Sequence, residues 1–343
     1  MKKAMPDIVG NEALRERLCR DILSNSLSHA YIFEGADGSG RHTLSLMSAA
    51  AVACENKDDS NTPLPCGVCP SCKKILERKS PDVIFVGPQG KTSLGVDSAR
   101  FIKEDVYTVP NDLEHKFYII ENADKMTPQA QNAILLTLEE PPSFVHFFLL
   151  CNKAGLLLET IRSRAPIMRT DILSKEQLDK YICSSDRRAE QLKLSSPKEY
   201  NELLIVSSGC IGKALSLLES KEWKPLHDLR QTVSNIVRVA ISSHKSKELL
   251  PLILKLSNKR DQLENELTTL SDALRDLILL KKSDDAPLVF YCDRNEAIEL
   301  CDMTSLAFLH EFHLAVTEAI EENKRNANVR LMILKMAISA KLI

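Results

Sequence analysis

The sequence predicts an α/β fold, a parallel sheet covered by helices, continued by an all-helical C-terminal part. Two patterns carry this. Short apolar runs alternate with helical periodicity through the first half of the 343 residues, and strand signals stop near Leu173. With 44% hydrophobic residues, the chain can also bury the cores of two or three domains.

The predicted strands are residues 30–33, 83–86, 117–120 and 147–150. Each is too short for a buried helix and is bounded by polar or turn residues. Their near-continuous apolar character fits strands covered on both faces. Between the last two, residues 127–140 read as a helix that stops at Pro141-Pro142, because proline cannot continue it.

From about Leu173 to Glu219 the pattern is one of polar helices, punctuated by Gly209 and Gly212, and residues 221–225 read as a linker. Beyond it, Leu226, Leu229, Val233, Ile236, Val237 and Ala240 trace one helical face. Leu263, Leu267, Leu270, Leu274 and Leu277 form a second stripe, and Leu309, Phe312, Val316 and Ile320 a third. The leucine stripe spans too few heptads for a coiled coil and fits a helical bundle.

Charge excludes some functions. Against 45 basic residues stand 47 acidic ones, a net charge of -2, whereas a protein gripping nucleic acid by bulk electrostatics carries a basic excess. Any DNA contact is then a local patch or is shared with partners. No apolar run is long enough to span a membrane, and no apolar stretch follows the basic N-terminus as a secretion signal requires. Ten cysteines are present. Cys19, Cys151, Cys183, Cys210, Cys292 and Cys301 stand singly in apolar contexts and read as buried thiols in a reducing cytoplasm.

After the first strand comes Gly35-Ala36-Asp37-Gly38-Ser39-Gly40-Arg41-His42-Thr43, opening a helical stretch. A phosphate-binding loop has Gly-x-x-x-x-Gly-Lys-Ser/Thr in this setting, where backbone N–H groups and the helix N-terminus face the anion. Gly35 and Gly40 keep the spacing, but Arg41 stands for the lysine and His42 for the hydroxyl that holds magnesium. Arginine lacks the compact ammonium, and magnesium takes oxygen ligands. A plain glycine-rich turn before a helix explains this stretch about as well.

The partner strand of such a site ends in Asp-Glu; here it ends in Glu121-Asn122. An amide cannot accept a proton, so general-base help is lost. The combined changes point to a site that does not hydrolyse nucleotide, with residual binding of ATP or ADP left open.

Cys54, Cys66, Cys69 and Cys72 follow the spacing C-x11-C-x2-C-x2-C, with Gly67 and Pro70 shaping the turns. Four thiolates on tight turns close a tetrahedral structural zinc site, with an iron–sulfur cluster as the rival.

Together these residues resemble the clamp-loader ATPases of the AAA+ class, most closely their delta-prime-type members. Asp7-Ile8-Val9-Gly10-Asn11-Glu12 is similar to the family's adenine-cradling segment, and residues 28–35 to its strand entering the phosphate loop. The four-Cys insertion matches its zinc module. Residues 121–133, with Leu138-Glu139-Glu140-Pro141-Pro142, are the most specific stretch, and Asn326 to Leu331 are a weak echo. Thr160-Ile161-Arg162-Ser163-Arg164-Ala165 resembles the Ser-Arg-Cys motif with alanine for cysteine.

The resemblance covers residues 5 to about 215 well. It implies an AAA+ domain over residues 1–167 with the zinc module at 54–72, a helical lid over 168–220 and an all-α collar over 221–343. Arg164 is then the arginine finger offered to a neighbour's ATP. Gly212 falls where a second sensor arginine stands, and the first sensor falls at Cys151 or Asn152. Glu139-Glu140-Pro141-Pro142 reads simply as a helix terminus.

The family's partners would be gamma/tau-type and delta-type subunits in a hetero-pentamer, and through it the sliding clamp and primer-template DNA. The rivals are an active gamma/tau-like ATPase and a stand-alone zinc-dependent nucleic-acid-binding protein.

Overall fold

The computed structural model describes residues 5, 8–24, 26–88, 93–219, 223–242, 246–340 and 342. Asp7 of the adenine-like segment and Lys221 and Glu222 of the expected linker lie outside the described residues. The chain packs as two units, one of residues 1–178 with 209–213, the other of residues 179–208 with 214–343.

The first unit holds a five-stranded parallel sheet of order β2-β3-β4-β1-β5. Its strands are β1 (Ala30–Glu34), β2 (Val83–Val86), β3 (Lys116–Ile120), β4 (Val145–Cys151) and β5 (Ile167–Arg169). Alternate side chains go to opposite faces. Tyr31, Phe33, Phe117, Ile119, Phe148 and Leu150 enter one core. Ala30, Ile32, Tyr118, Ile120, Phe147 and Leu149 enter the other. Burial on both faces is why these strands read as unbroken apolar runs. Strand β5 has only 3 residues, too few to show a period in the sequence.

Helices α1 (Glu12–Leu23), α2 (Arg41–Val52) and α3 (Pro70–Leu76) supply the first core, through residues such as Leu18, Leu44 and Ile75. Helices α4 (Val96–Asp105), α5 (Pro128–Glu139) and α6 (Glu159–Arg162) supply the second, through Ile102, Ile134 and Ile161. Helix α5 lies where the sequence places it. Thr127 caps it by accepting from the Ala130 N–H, Pro128 fills the first turn, and Glu140 ends it before the prolines.

Register fixes where a ligand would sit. β1 lies between β4, with Ile32 beside Leu149, and β5, with Ile32 beside Ile167. The next strand in sequence, β2, starts the far edge. Strand order therefore reverses at β1, and the crevice beyond its carboxyl end is where open α/β sheets hold ligands.

Helices α7 (Lys175–Ser185), α8 (Arg187–Ser195), α9 (Pro197–Ser207) and α10 (Ile211–Glu219) follow. The remaining helices are α11 (Trp223–Ser242), α12 (Ser246–Ile253), α13 (Arg260–Leu280), α14 (Arg294–Asp302), α15 (Leu306–Lys324) and α16 (Val329–Ser339). The second unit's core joins the three predicted stripes. Leu263, Leu267, Leu270, Leu274 and Leu277 of α13 pack with Val233, Ile236 and Val237 of α11 and with Leu309, Phe312 and Val316 of α15. Ile320 is only partly buried. Trp223, Lys224 and Pro225, expected in the linker, instead form the first turn of α11, where proline's missing N–H is harmless.

Two buried polar clusters of this unit are paired within it. The fully buried Asp276 carboxylate accepts the Val289, Phe290 and Tyr291 N–H groups at 2.9, 2.7 and 3.2 Å. Arg230 Nε lies 2.6 Å from Glu202 Oε1, both residues being buried, and Arg230 also donates to the Phe290 carbonyl.

Candidate functional site

The loop after β1 runs from Gly35 to Gly40, and α2 starts at Arg41. Gly40 ends the loop at φ 92, in the left-handed region that glycine adopts without strain. The Gly35 N–H donates to the Cys151 carbonyl at 3.1 Å, which ties the loop to the end of β4. Gly35, Gly38, Gly40, Arg41 and His42 are thus brought to the switch point together, while Thr43 is exposed on the first turn of α2.

Arg41 is turned inward. Its side chain is 6% exposed, and Nη2 lies 2.5 Å from Asp37 Oδ1, one turn back in the same loop. A buried guanidinium needs a countercharge, and here the loop provides it. Asp37, one of the variable positions of the motif, went unremarked in the sequence. Its spacing of four from Arg41 on the helix lead-in was the signal that could have found it.

His42 and Glu121 face each other as well, with Nδ1 3.3 Å from Oε1. Burial holds the imidazole below its usual pKa, with Arg41 and Arg78 adding to this and Glu121 opposing it. Two positions that share a magnesium ion in a phosphate-loop site contact each other directly here. Asn122 follows in the left-handed conformation at φ 51.

The chain also packs its own backbone onto the loop. The Gly212 N–H donates to the Gly38 carbonyl at 3.0 Å. A Cβ on Gly212 would stand 2.9 Å from the Gly38 Cα, and one on Gly38 would stand 2.4 Å from the Lys213 nitrogen. Ser39 Oγ and Thr170 Oγ1 are 2.8 Å apart on the other side. Of the two first-sensor candidates, Asn152 faces the loop, its Nδ2 donating to Asp37 Oδ2 at 3.5 Å, and its Oδ1 is buried without a hydrogen-bond partner. Cys151 is buried in the sheet, with burial pushing its thiol up to about 12. Of the adenine-like segment, Asn11 Oδ1 accepts the Asp171 N–H at 2.6 Å.

Cys54, Cys66, Cys69 and Cys72 converge, with their sulfurs within 4.8 Å of one another and all four residues buried. Cys69 caps α3, its Sγ accepting the Cys72 N–H, while the Cys69 N–H donates to Cys66 Sγ at 3.4 Å. Burial pushes Cys54 and Cys72 up. At Cys66 burial acts in the same sense but is outweighed by the Cys69 and Val68 N–H groups, leaving the thiol at about 6. Four sulfurs around a tetrahedral zinc stand roughly 3.8 Å apart, given a Zn–S bond of about 2.3 Å. Cys66 and Cys72 are separated by 3.9 Å. The cluster can hold a metal ion.

Arg164, just after α6, is engaged away from the loop. Its Nη2 lies 2.7 Å from Glu139 Oε1, and Nη1 donates to the Thr160 carbonyl at 2.8 Å and the Ser163 hydroxyl at 3.3 Å. Ala165 beside it is buried. In the sequence Glu139 belongs to the family-like stretch ending in Pro141-Pro142 and reads as part of a helix end; nothing in its own spacing joins it to a residue so far along the chain.

No helix among the described residues is long and apolar enough to cross a membrane. Residues 10–173 match the family model described as DNA polymerase III, delta subunit. Over 220 residues the chain is 32% identical to the DNA polymerase III subunit tau of Bacillus subtilis, covering 62% of this chain and 37% of that protein. It is 27% identical over 299 residues to the DNA polymerase III subunit gamma of Buchnera aphidicola, covering 83% of this chain and 79% of the relative. Among solved structures, a DNA polymerase III gamma subunit-related protein of Thermotoga maritima shares the fold with a TM-score of 0.50 at 20% identity, over 95% of this chain and 98% of that one.

Proposed function

We propose that this chain, a clamp-loader AAA+ subunit related to the gamma and tau subunits of DNA polymerase III, is the non-hydrolysing, delta-prime-type member of its assembly. In this reading it is a stator that offers Arg164 to the ATP of a neighbouring subunit and performs no hydrolysis itself. The observation that carries it is the salt bridge of 2.5 Å by which Asp37 occupies Arg41, the cation of the phosphate loop. A loop whose positive charge is already paired attracts a polyphosphate weakly. The His42–Glu121 contact supports the same reading, because it fills the magnesium position with side chains.

The partners in this reading are gamma/tau-type and delta-type subunits in a five-membered ring, which acts on the sliding clamp and primer-template DNA. Residues 1–167 would be the AAA+ domain, 168–220 its lid and 221–343 the collar that joins the ring. The cysteine cluster would hold a structural zinc, which ties α3 to α2 and does no chemistry. A reducing cytoplasm is the compartment this reading expects for a chain whose six remaining cysteines stand singly in the sequence.

The test is reconstitution. Mixed with gamma/tau-type and delta-type subunits, the chain is expected to be required for clamp loading on primed DNA. Alone it is expected to show no ATP turnover above background. Brisk turnover by the isolated chain would support an active gamma/tau-like ATPase instead.

A further inference from the structure

We infer that Glu139 positions Arg164 for its action on the neighbour's ATP, an inference that rests on the function proposed above. The pair spans two elements. Glu139 is the last residue of α5, and Arg164 follows α6. Each stands next to a core residue, Leu138 before Glu139 and Ala165 after Arg164, and both of these belong to the same buried cluster as Ile134 and Ile161. The two attachment points are therefore held by close-packed atoms and not by mobile loops.

Arginine is a long side chain with many rotamers, and a finger that must meet a transferring phosphoryl group gains from being held in place beforehand. Three acceptors restrain Arg164: the Glu139 carboxylate at 2.7 Å, the Thr160 carbonyl at 2.8 Å and the Ser163 hydroxyl at 3.3 Å. The Thr160 and Ser163 contacts come from its own turn, so they travel with the residue. Among the described residues, Glu139 alone relates the guanidinium to a separate element. A guanidinium has more N–H groups than these contacts use, so it can keep Glu139 and still face a phosphate oxygen. Glu139 is thus a positioning residue and touches no substrate.

The experiment is ATP turnover by the reconstituted assembly, with saturating clamp and primed DNA. It compares wild type, Arg164→Ala, Glu139→Ala, Glu139→Gln and the Arg164→Ala/Glu139→Ala double variant. Glu139→Ala is expected to lower kcat about fivefold at an unchanged KM for ATP, the size and pattern of a lost orienting ion pair. Glu139→Gln is expected to lose less, because its amide oxygen still accepts from the guanidinium. The double variant is expected to match Arg164→Ala, because Glu139 acts only through that side chain.

Wild-type kcat in both Glu139 variants would overturn the inference, as would faster turnover or losses that add in the double variant. Should Glu139→Ala fail to fold, Glu139→Gln carries the same test. Unchanged turnover with Arg164→Ala would overturn the parent function instead, so the two failures are distinguishable.

Discussion

Asp37 Oδ1 lies 2.5 Å from Arg41 Nη2, so the cation that opens α2 is paired within the glycine-rich loop that leads into it. The carboxylate is 76% exposed and the guanidinium 6%, so Asp37 stands toward solvent while Arg41 is turned inward. Repulsion by Asp37 and neutralisation of Arg41 act in the same direction.

Removing that carboxylate should restore part of the affinity. Asp37→Ala in the isolated chain is expected to bind a fluorescent ATP analogue roughly fivefold more tightly than wild type. Hydrolysis should stay at background, because the His42–Glu121 contact and Asn122 are left in place. Unchanged or weaker binding in the titration would show that Arg41 is not what limits it.

The cysteine cluster predicts a metal content. Elemental analysis of the purified chain is expected to find about one zinc per molecule. Cys72→Ser should lose the metal and lower the melting temperature by roughly 5 °C or more, since Cys72 is buried where α3 meets α2. Iron in place of zinc, or full metal occupancy in the variant, would go against the assignment.

His146 predicts how stability responds to acid. Burial first, then its neighbours His115 and His29, hold the folded imidazole down at about 3, against 6.5 for a free one. His115, 3.3 Å away, is lowered in the same sense, by burial and by Lys57 with Glu114 opposing. The unfolded chain therefore takes up protons before the folded one does. The contribution is whole above about pH 6.5 and is lost as pH falls toward 3. Wild-type melting temperature should drop between pH 7.5 and 5. His146→Phe, which can keep the ring stacking on Phe117, should flatten that drop. Equal slopes for the two proteins would contradict this.

Glu202 predicts a cost in the second unit. Glu202→Ala would leave the buried Arg230 without its carboxylate, and His227 Nδ1, 2.8 Å from Glu202, without an acceptor. Chemical denaturation is expected to show a loss of about 3 kcal/mol. Replacing both members, as Glu202→Leu with Arg230→Met, should recover much of it. A loss under ~1 kcal/mol in the single variant would mean that water reaches the guanidinium.

The sheet was legible wherever burial on both faces left a continuous apolar run, as in residues 117–120 and 147–150. It was not legible at Ile167–Arg169, where a short edge strand takes its conformation from pairing with β1. The cysteine cluster could be read because a tight metal site is local in sequence. The partners of Arg41 and Arg164 could not, for two different reasons. Asp37 was near in sequence but hidden among the motif's variable positions. Glu139 meets Arg164 only because α5 and α6 share a core.

The most direct measurement is the ATP turnover of the reconstituted assembly carrying Arg164→Ala in this chain alone. Assembly should survive, because Arg164 makes its contacts at the surface of the first unit, and turnover should fall roughly tenfold or more. Turnover equal to wild type, with the variant subunit confirmed in the complex, would contradict the account.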